Sequence, residues 1–329
     1  MHMRLSVAKM VLRHGFFYHA YTCDFRGRAY TLTEMLSPQS GDLDRGLLQF
    51  ANPCKVTREG MYWLMVHVAN TCDGMSYDGD EVSDKMTFDD RVRWVKRQEK
   101  MLRNISEDPY ANYEWMDNKT KKKTPSFQRL AAILDYVNAL DTGYSSLPVQ
   151  LDGSCNGSQH WSAIMRDPKI AELVNVSPTE EPGDLYQYVA DIGTDICREG
   201  DSQWSQLFVE HWEDRIPRKV FKRSTMCDAY GITDHGIRGY SREEGHLDWV
   251  EDGTQKQQAV NELAVVIRSA LDGALESSND GKRYLQTLTE MASNYDKWVS
   301  WETPTGFKAV NRYTVEEVII SKAAFYRNN

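Results

Sequence analysis

Along most of the chain apolar residues recur every three to four positions, the period of a helix with one buried face. The pattern predicts a helix leading into a short aromatic-rich strand, "GFFYHAYTCDFRGRAY", over residues 1–30. Further helices are expected at about 43–50, 57–70, 89–105 and 125–140, from about 158, and near 184–198 and 201–212. The same pattern continues across 217–231 and at about 254–275 and 281–299. Thr57, with Glu59 in the turn that follows, has the chemistry of a helix start. Strand-like runs are few. "LPVQLD" at 147–152 reads as a strand ending on an acid, and "KAVNRYTVEEVIISKAA" closes the chain. The glycine- and charge-rich stretch 232–253 reads as a loop. The expected class is α+β, mostly helical, with a few short strands and no internal repeat.

Composition changes this picture only at its edges. A chain of 329 residues has room for one large domain or two smaller ones. Hydrophobic content of 41% and charged content of 26% are those of a globular protein, and no apolar stretch reaches the roughly 20 residues of a membrane helix. The opening "MHMRLSVAKMVLRHG" lacks the features of a secretory signal, so an intracellular setting is expected. The six cysteines (23, 54, 72, 155, 197 and 227) are widely spaced without a C-x-x-C pair, which fits free thiols better than zinc or disulfides. A net charge of −9 argues against a passive nucleic-acid coat but leaves room for a local basic channel. Of two basic clusters, "KTKKKT" at 119–124 reads as a solvated loop, whereas "RKVFKR" at 218–223 has helical spacing.

Three short segments carry candidate chemistry. Pro217 suits a first helical position and Gly231 a helix end. Between them Arg218, Lys222, Met226 and Tyr230 lie four residues apart and form one drifting stripe. Cations near a helix N-terminus oppose its dipole unless an anion sits beside them, and a polyphosphate is such an anion. A basic surface face is the plainer reading. The second segment, "LDGSCNGSQH", presents Asp152 and the Gly153 carbonyl as half of a Mg²⁺ site. The plainer reading is an Asp-Gly turn, and a rival on a short, weak pattern is a nucleophile elbow with Cys155 as nucleophile and His160 or another histidine as base. In the third, "DFRGRAY", Arg26 and Arg28 straddle a glycine where backbone and ligand can approach closely.

These segments, in this order, resemble the single-subunit DNA-directed RNA polymerases of phage and mitochondrial type. "DFRGRAY" is similar to the family's D-[FW]-R-G-R-x-Y element, and "DGSCNGSQHWSAIMRD" to its first catalytic motif. "RKVFKRSTMCDAYG" resembles its R-x-x-x-K-x-x-x-M-x-x-x-Y-G motif, and "WVSWETPTGFKAVNRY" a segment beyond it. The resemblance implies a partial right-hand polymerase, with palm over 1–165 and fingers over 166–329. It implies Asp152 and Gly153 as ligands of catalytic Mg²⁺, with Asp152 and Lys222 catalytic. Arg218, Lys222, Met226, Tyr230 and Gly231 would bind the incoming ribonucleotide, and Tyr230 would select ribose. Arg26 and Arg28 would contact the template or hybrid. The implied partners are a DNA template, an RNA transcript and ribonucleoside triphosphates, with no membrane. The implied setting is the cytoplasm of a phage host or, as the second choice, an organelle.

One departure stands out. The family carries a second metal-binding aspartate in an H-D-[SA] segment, and no such segment occurs in these 329 residues. "TDHG" at 233–236 has the two residues reversed. The expectation is an incomplete copy or one piece of a split polymerase, whose second polypeptide carries the other aspartate. A remnant that only binds nucleotide or template is the alternative, and a hydrolase using Cys155 is a distant one.

Overall fold

The computed structural model describes residues 2–83, 86–116, 125–179, 182–295 and 297–311. The chain divides into two compact units: Met1–Leu151 with Ser300–Ala309, and Asp152–Val299 with Val310–Asn329. It is mostly helical with small two-stranded sheets, an α+β arrangement as expected.

The first unit starts with α1 (His2–Leu12) and the hairpin β1 (Tyr21–Cys23) and β2 (Ala29–Thr31). It continues through α2 (Asp42–Gly46), β3 (Cys54–Lys55), α3 (Arg58–Thr71) and the tight hairpin β4 (Ser76–Tyr77) and β5 (Asp80–Glu81). Then come α4 (Phe88–Arg97), α5 (Glu99–Glu107), a 3-10 turn at Glu114–Met116, α6 (Ser126–Thr142) and β6 (Tyr144–Ser145). Thr57 caps α3 as its chemistry predicts, its hydroxyl accepting the Gly60 N–H at 3.0 Å. The core between α3, α4, α5 and α6 holds Leu64, Val68, Trp94, Leu102, Ile133 and Tyr136.

Helix α6 follows Pro125, which offers no side-chain cap. Asp42 of α2 supplies one from a distance, accepting the Phe127 and Gln128 N–H groups at 2.9 and 3.0 Å. Glycine at 46 permits that approach, because a Cβ there would stand 2.7 Å from the Phe127 carbonyl oxygen.

Three expectations for this unit need correction. The helix expected at 43–50 ends at Gly46. The helix expected at 89–105 is two helices, broken at Gln98, whose amide is drawn out to Asp80 at 3.0 Å. Residues 147–152 form no strand, since β6 pairs with β3 only over Tyr144 and Ser145. Pro148 has no N–H to donate, no described strand lies alongside, and Leu151 is left 91% exposed.

The second unit runs through α7 (Asn156–Met165), α8 (Pro168–Leu173), α9 (Leu185–Glu199), α10 (Gln203–His211) and α11 (Arg218–Asp228). It continues with α12 (Asp234–Glu243), α13 (Gly253–Ala274) and α14 (Glu276–Asn294). The last hairpin, β7 (Val299–Glu302) paired with β8 (Lys308–Asn311), falls mostly in the first unit, which includes Ser300–Ala309. Helix α9 is central, with α10, α11 and α13 packed around it over Val189, Phe208, Phe221, Leu263 and Ile267. The α9–α11 crossing depends on Gly193, where a Cβ would fall 2.2 Å from the Phe221 ring.

Here too the structure corrects the sequence reading. The stretch 232–253 is not a continuous loop: Thr233 caps α12 through the Gly236 N–H at 3.2 Å. Ile237 and Ser241, one turn apart, give that helix a buried face toward α13. Pro217 is the N-cap of α11 rather than its first helical residue, with extended backbone at ψ 139°. The lysine-rich cluster 119–124 and the last part of the strand-like closing run lie outside the described residues.

Candidate functional site

Asp152 and Gly153 sit exposed on an irregular segment before α7. One Asp152 oxygen accepts the Gly153 N–H at 2.9 Å, and the Gly153 carbonyl accepts the Cys155 N–H at 3.1 Å. Cys155 adopts left-handed backbone (φ 67°, ψ 65°), an unfavourable state for a residue with a Cβ. Its buried thiol offsets part of that cost by donating to the Ser158 hydroxyl at 3.3 Å. This kink turns the chain from the acidic tip directly into α7.

Helix α11 buries Val220, Phe221, Ser224, Thr225 and Asp228 and turns the stripe of the sequence analysis outward. Arg218 is half-buried, whereas Lys222, Met226 and Tyr230 are exposed, Tyr230 by 62%. The helix closes through Gly231, whose φ of +78° suits a residue without a Cβ.

Two side chains that the sequence did not single out organise the cationic end. The Tyr186 ring lies 4.8 Å from the Arg218 guanidinium and 6.0 Å from the Lys222 ammonium. Its hydroxyl is hydrogen-bonded with the Cys155 thiol; burial first, then that bond, pushes the phenol well above its ordinary pKa. Asp184 caps α9, accepting the Gln187 N–H at 3.1 Å, while its second oxygen accepts from Arg218 Nε at 2.6 Å. Tyr186 therefore links the acidic turn, through Cys155, to both cations.

A second contact joins the motifs at the other end of α11. Gly157 in α7 lies so close to Ala229 that a Cβ would be 2.3 Å from the Ala229 Cβ. The same Cβ would stand 3.8 Å from the Tyr230 ring. Trp161, one turn on, donates its indole N–H to the Ala229 carbonyl at 3.2 Å. Asp228, 2% exposed, fixes this end further by accepting from Lys282 of α14 at 2.6 Å. A pocket of about 540 Å³ lies beside it, lined by Gly231, Thr233, Arg268, Lys282 and Arg283 among others.

Arg26 and Arg28 belong to the first unit, at the β1–β2 hairpin. Asp24 holds the turn, accepting the Arg26 and Arg28 N–H groups at 2.9 and 3.0 Å and the Arg26 guanidinium at 2.7 Å. Gly27 takes the left-handed conformation between them (φ 77°). An apolar pocket of about 730 Å³ in this unit, walled by Trp63, Leu64, His67, Phe88 and Val149, contains none of the sequence-predicted residues.

The arrangement can offer a polyanion two adjacent cations and a metal ion two hard oxygen donors. Among the described residues no three His, Cys, Asp or Glu side chains converge as a metal site. Asp152 with the Gly153 carbonyl fits part of a Mg²⁺ shell, since each oxygen keeps acceptor capacity beyond its backbone bond. The thiol of Cys155, the nucleophile of the hydrolase alternative, meets Ser158 and Tyr186.

Comparison with known proteins bears on the family. The family profile for DNA-dependent RNA polymerase matches residues 54–325. The chain belongs to that family. It is 28% identical over 322 residues to DNA-directed RNA polymerase 1, mitochondrial, of Arabidopsis thaliana, covering 94% of this chain and 32% of the relative. It is 30% identical over 326 residues to DNA-directed RNA polymerase 3, chloroplastic, of Nicotiana sylvestris, with 94% and 32% covered. The DNA-directed RNA polymerase of Enterobacteria phage K11 is 27% identical over 365 residues, with 98% and 39% covered. The chain thus spans about a third of the length of the curated relatives it matches. Within this polymerase family the relatives are of phage and organelle type, as the motifs indicated. No described helix is long and apolar enough to cross a membrane.

Proposed function

We propose that this chain is the nucleotide-handling part of a DNA-directed RNA polymerase catalytic domain. The reaction is transfer of a nucleotidyl group from a ribonucleoside triphosphate to an RNA 3′-hydroxyl on a DNA template, with pyrophosphate leaving. The observation that carries the reading is the seating of Gly157 on Ala229 and Tyr230, which ties the Asp152 turn to the basic helix within one unit.

Each residue has a role that its chemistry fits. Arg218 offers a planar fork and Lys222 a point charge to the triphosphate, both at the positive end of α11. Binding there relieves the mismatch between Lys222 and the helix dipole. Met226 continues the exposed stripe, and Tyr230 presents its ring and hydroxyl at the end of α11 to test the ribose. Gly231 closes the turn without a side chain to obstruct the nascent pair. Arg26 and Arg28 hold template or hybrid backbone. Asp152 and the Gly153 carbonyl would hold Mg²⁺, which when bound neutralises developing charge on the phosphates.

These 329 residues contain no H-D-S or H-D-A segment, so this polypeptide unaided is expected to bind nucleotide without extending RNA. The other aspartate, carried by the rest of a longer chain or by a second polypeptide, would complete the site. Calorimetry with a ribonucleoside triphosphate and Mg²⁺ tests the binding claim. Loss of one charge-assisted contact in Lys222→Ala should weaken affinity about tenfold; indistinguishable binding overturns it. Mg²⁺-dependent primer extension by the purified chain, abolished by Asp152→Asn, would overturn the expectation of inactivity alone.

A further inference from the structure

Arg218 is already occupied by an anion of the protein's own. Asp184 accepts from its Nε at 2.6 Å, and the two side chains are 41% and 39% exposed, so solvent and solutes reach the pair. Two features make this contact more than an incidental surface pair. The Asp184 carboxylate is fixed from the other side, because its first oxygen caps α9 through the Gln187 N–H at 3.1 Å. Arg218 is also fixed, with the Tyr186 ring 4.8 Å from its guanidinium. The pair therefore joins two held groups, and the usual loss of side-chain freedom on pairing is smaller here.

We propose that Asp184 is a built-in competitor for the triphosphate: it neutralises Arg218 while no nucleotide is bound, and it limits polyphosphate affinity. The inference rests on the nucleotide-binding reading of α11 and adds a residue to it. If Asp184 stays in place when a triphosphate arrives, its charge repels the newcomer beside Arg218. If it swings aside, the protein loses the ion pair and the α9 cap together. Both routes raise the free energy of the bound state relative to the free one. The consequence for turnover is easier departure of pyrophosphate, because Asp184 waits to take back Arg218.

The test separates charge from structure. Asparagine and serine are both good N-caps, so Asp184→Asn and Asp184→Ser remove the charge while keeping a cap for α9. Inorganic tripolyphosphate is titrated by calorimetry into the 329-residue wild type, both variants and Lys222→Ala, at low and high salt, with melting temperatures in parallel. The expected result is about two- to fivefold tighter binding in both Asp184 variants at low salt, with the gain shrinking as salt screens it. Damage to the fold would weaken binding instead, so the direction is diagnostic. Binding equal to or weaker than wild type, with unchanged melting, overturns the role of Asp184. If Lys222→Ala binds as well as wild type, the nucleotide-binding reading itself has failed, and that outcome is distinct.

Discussion

The contact of α7 with the end of α11 makes a prediction whose sign can be checked. Glycine within a helix costs about 1 kcal/mol relative to alanine, so Gly157→Ala would stabilise the chain if the site were open. It is not open. The added Cβ would stand 2.3 Å from the Ala229 Cβ, more than 1 Å inside ordinary carbon contact at about 3.5 Å. Ala229 has little freedom to retreat, because Trp161 bonds its carbonyl and Lys282 grips the neighbouring Asp228. Overpacking of this kind costs about 1–3 kcal/mol, which outweighs the gain in propensity and leaves a net loss of about 1 kcal/mol. The control is Gly273→Ala in α13, where an added Cβ meets nothing within 4 Å. That change should stabilise by about 0.5–1 kcal/mol. Urea unfolding of both variants, read as midpoint shifts at constant slope, gives the comparison. Calorimetry should also show weaker nucleotide binding by Gly157→Ala, since Tyr230 adjoins the contact. If Gly157→Ala stabilises as much as Gly273→Ala and binds nucleotide normally, the claimed seating of one motif on the other is wrong.

Three further outcomes follow from the same geometry. Asp228→Asn removes the carboxylate charge that faces Lys282 and Arg268, leaving Lys282 its bond to the Asp228 carbonyl at 3.1 Å, and should cost about 3 kcal/mol in urea unfolding; a loss under about 1 kcal/mol would contradict the pairing. The Asp24 carboxyl feels some loss of hydration, but hydrogen bonds from Arg26 and Arg28 outweigh it and hold its pKa at about 2. Since the folded pKa lies below the unfolded one, the pairing is fully present above about pH 4 and fades as the pH falls through about 2. An NMR titration of Asp24 with an ordinary carboxylate midpoint would refute that arrangement. Burial pushes the thiols of Cys72 and Cys197 up to about 11. Exposed Cys54 should therefore react with a thiol reagent far sooner than either, and mass-spectrometric mapping that finds Cys72 or Cys197 labelled as fast as Cys54 would contradict the assigned exposures.

Much of the helical framework was legible because it rests on local rules. Thr57 announced α3, and the four-residue spacing of Arg218, Lys222, Met226 and Tyr230 announced an outward stripe on α11. The misreadings arose where local signals conflict with distant partners. Glycines in 232–253 suggested a loop, yet Ile237 and Ser241 find α13 and a helix forms. The apolar run at 147–152 suggested a strand, yet a strand needs a neighbour, and none lies beside it among the described residues.

The sequence by itself determined the family, through motifs long enough to be distinctive, and the identity of the charged groups those motifs carry. It could not show which of those groups meet. Asp184 stands 34 positions before Arg218, and the "DLYQYV" around it has no unusual feature; only the packing of α11 against α9 makes it the partner of that arginine. Gly157 read as one glycine among several in a turn, and only the tertiary structure shows that it admits Ala229 and Tyr230. The physical reason is the same in both cases. Helix propensity and capping act within a few residues, whereas ion pairing and steric fit depend on distances in space that no sequence separation encodes.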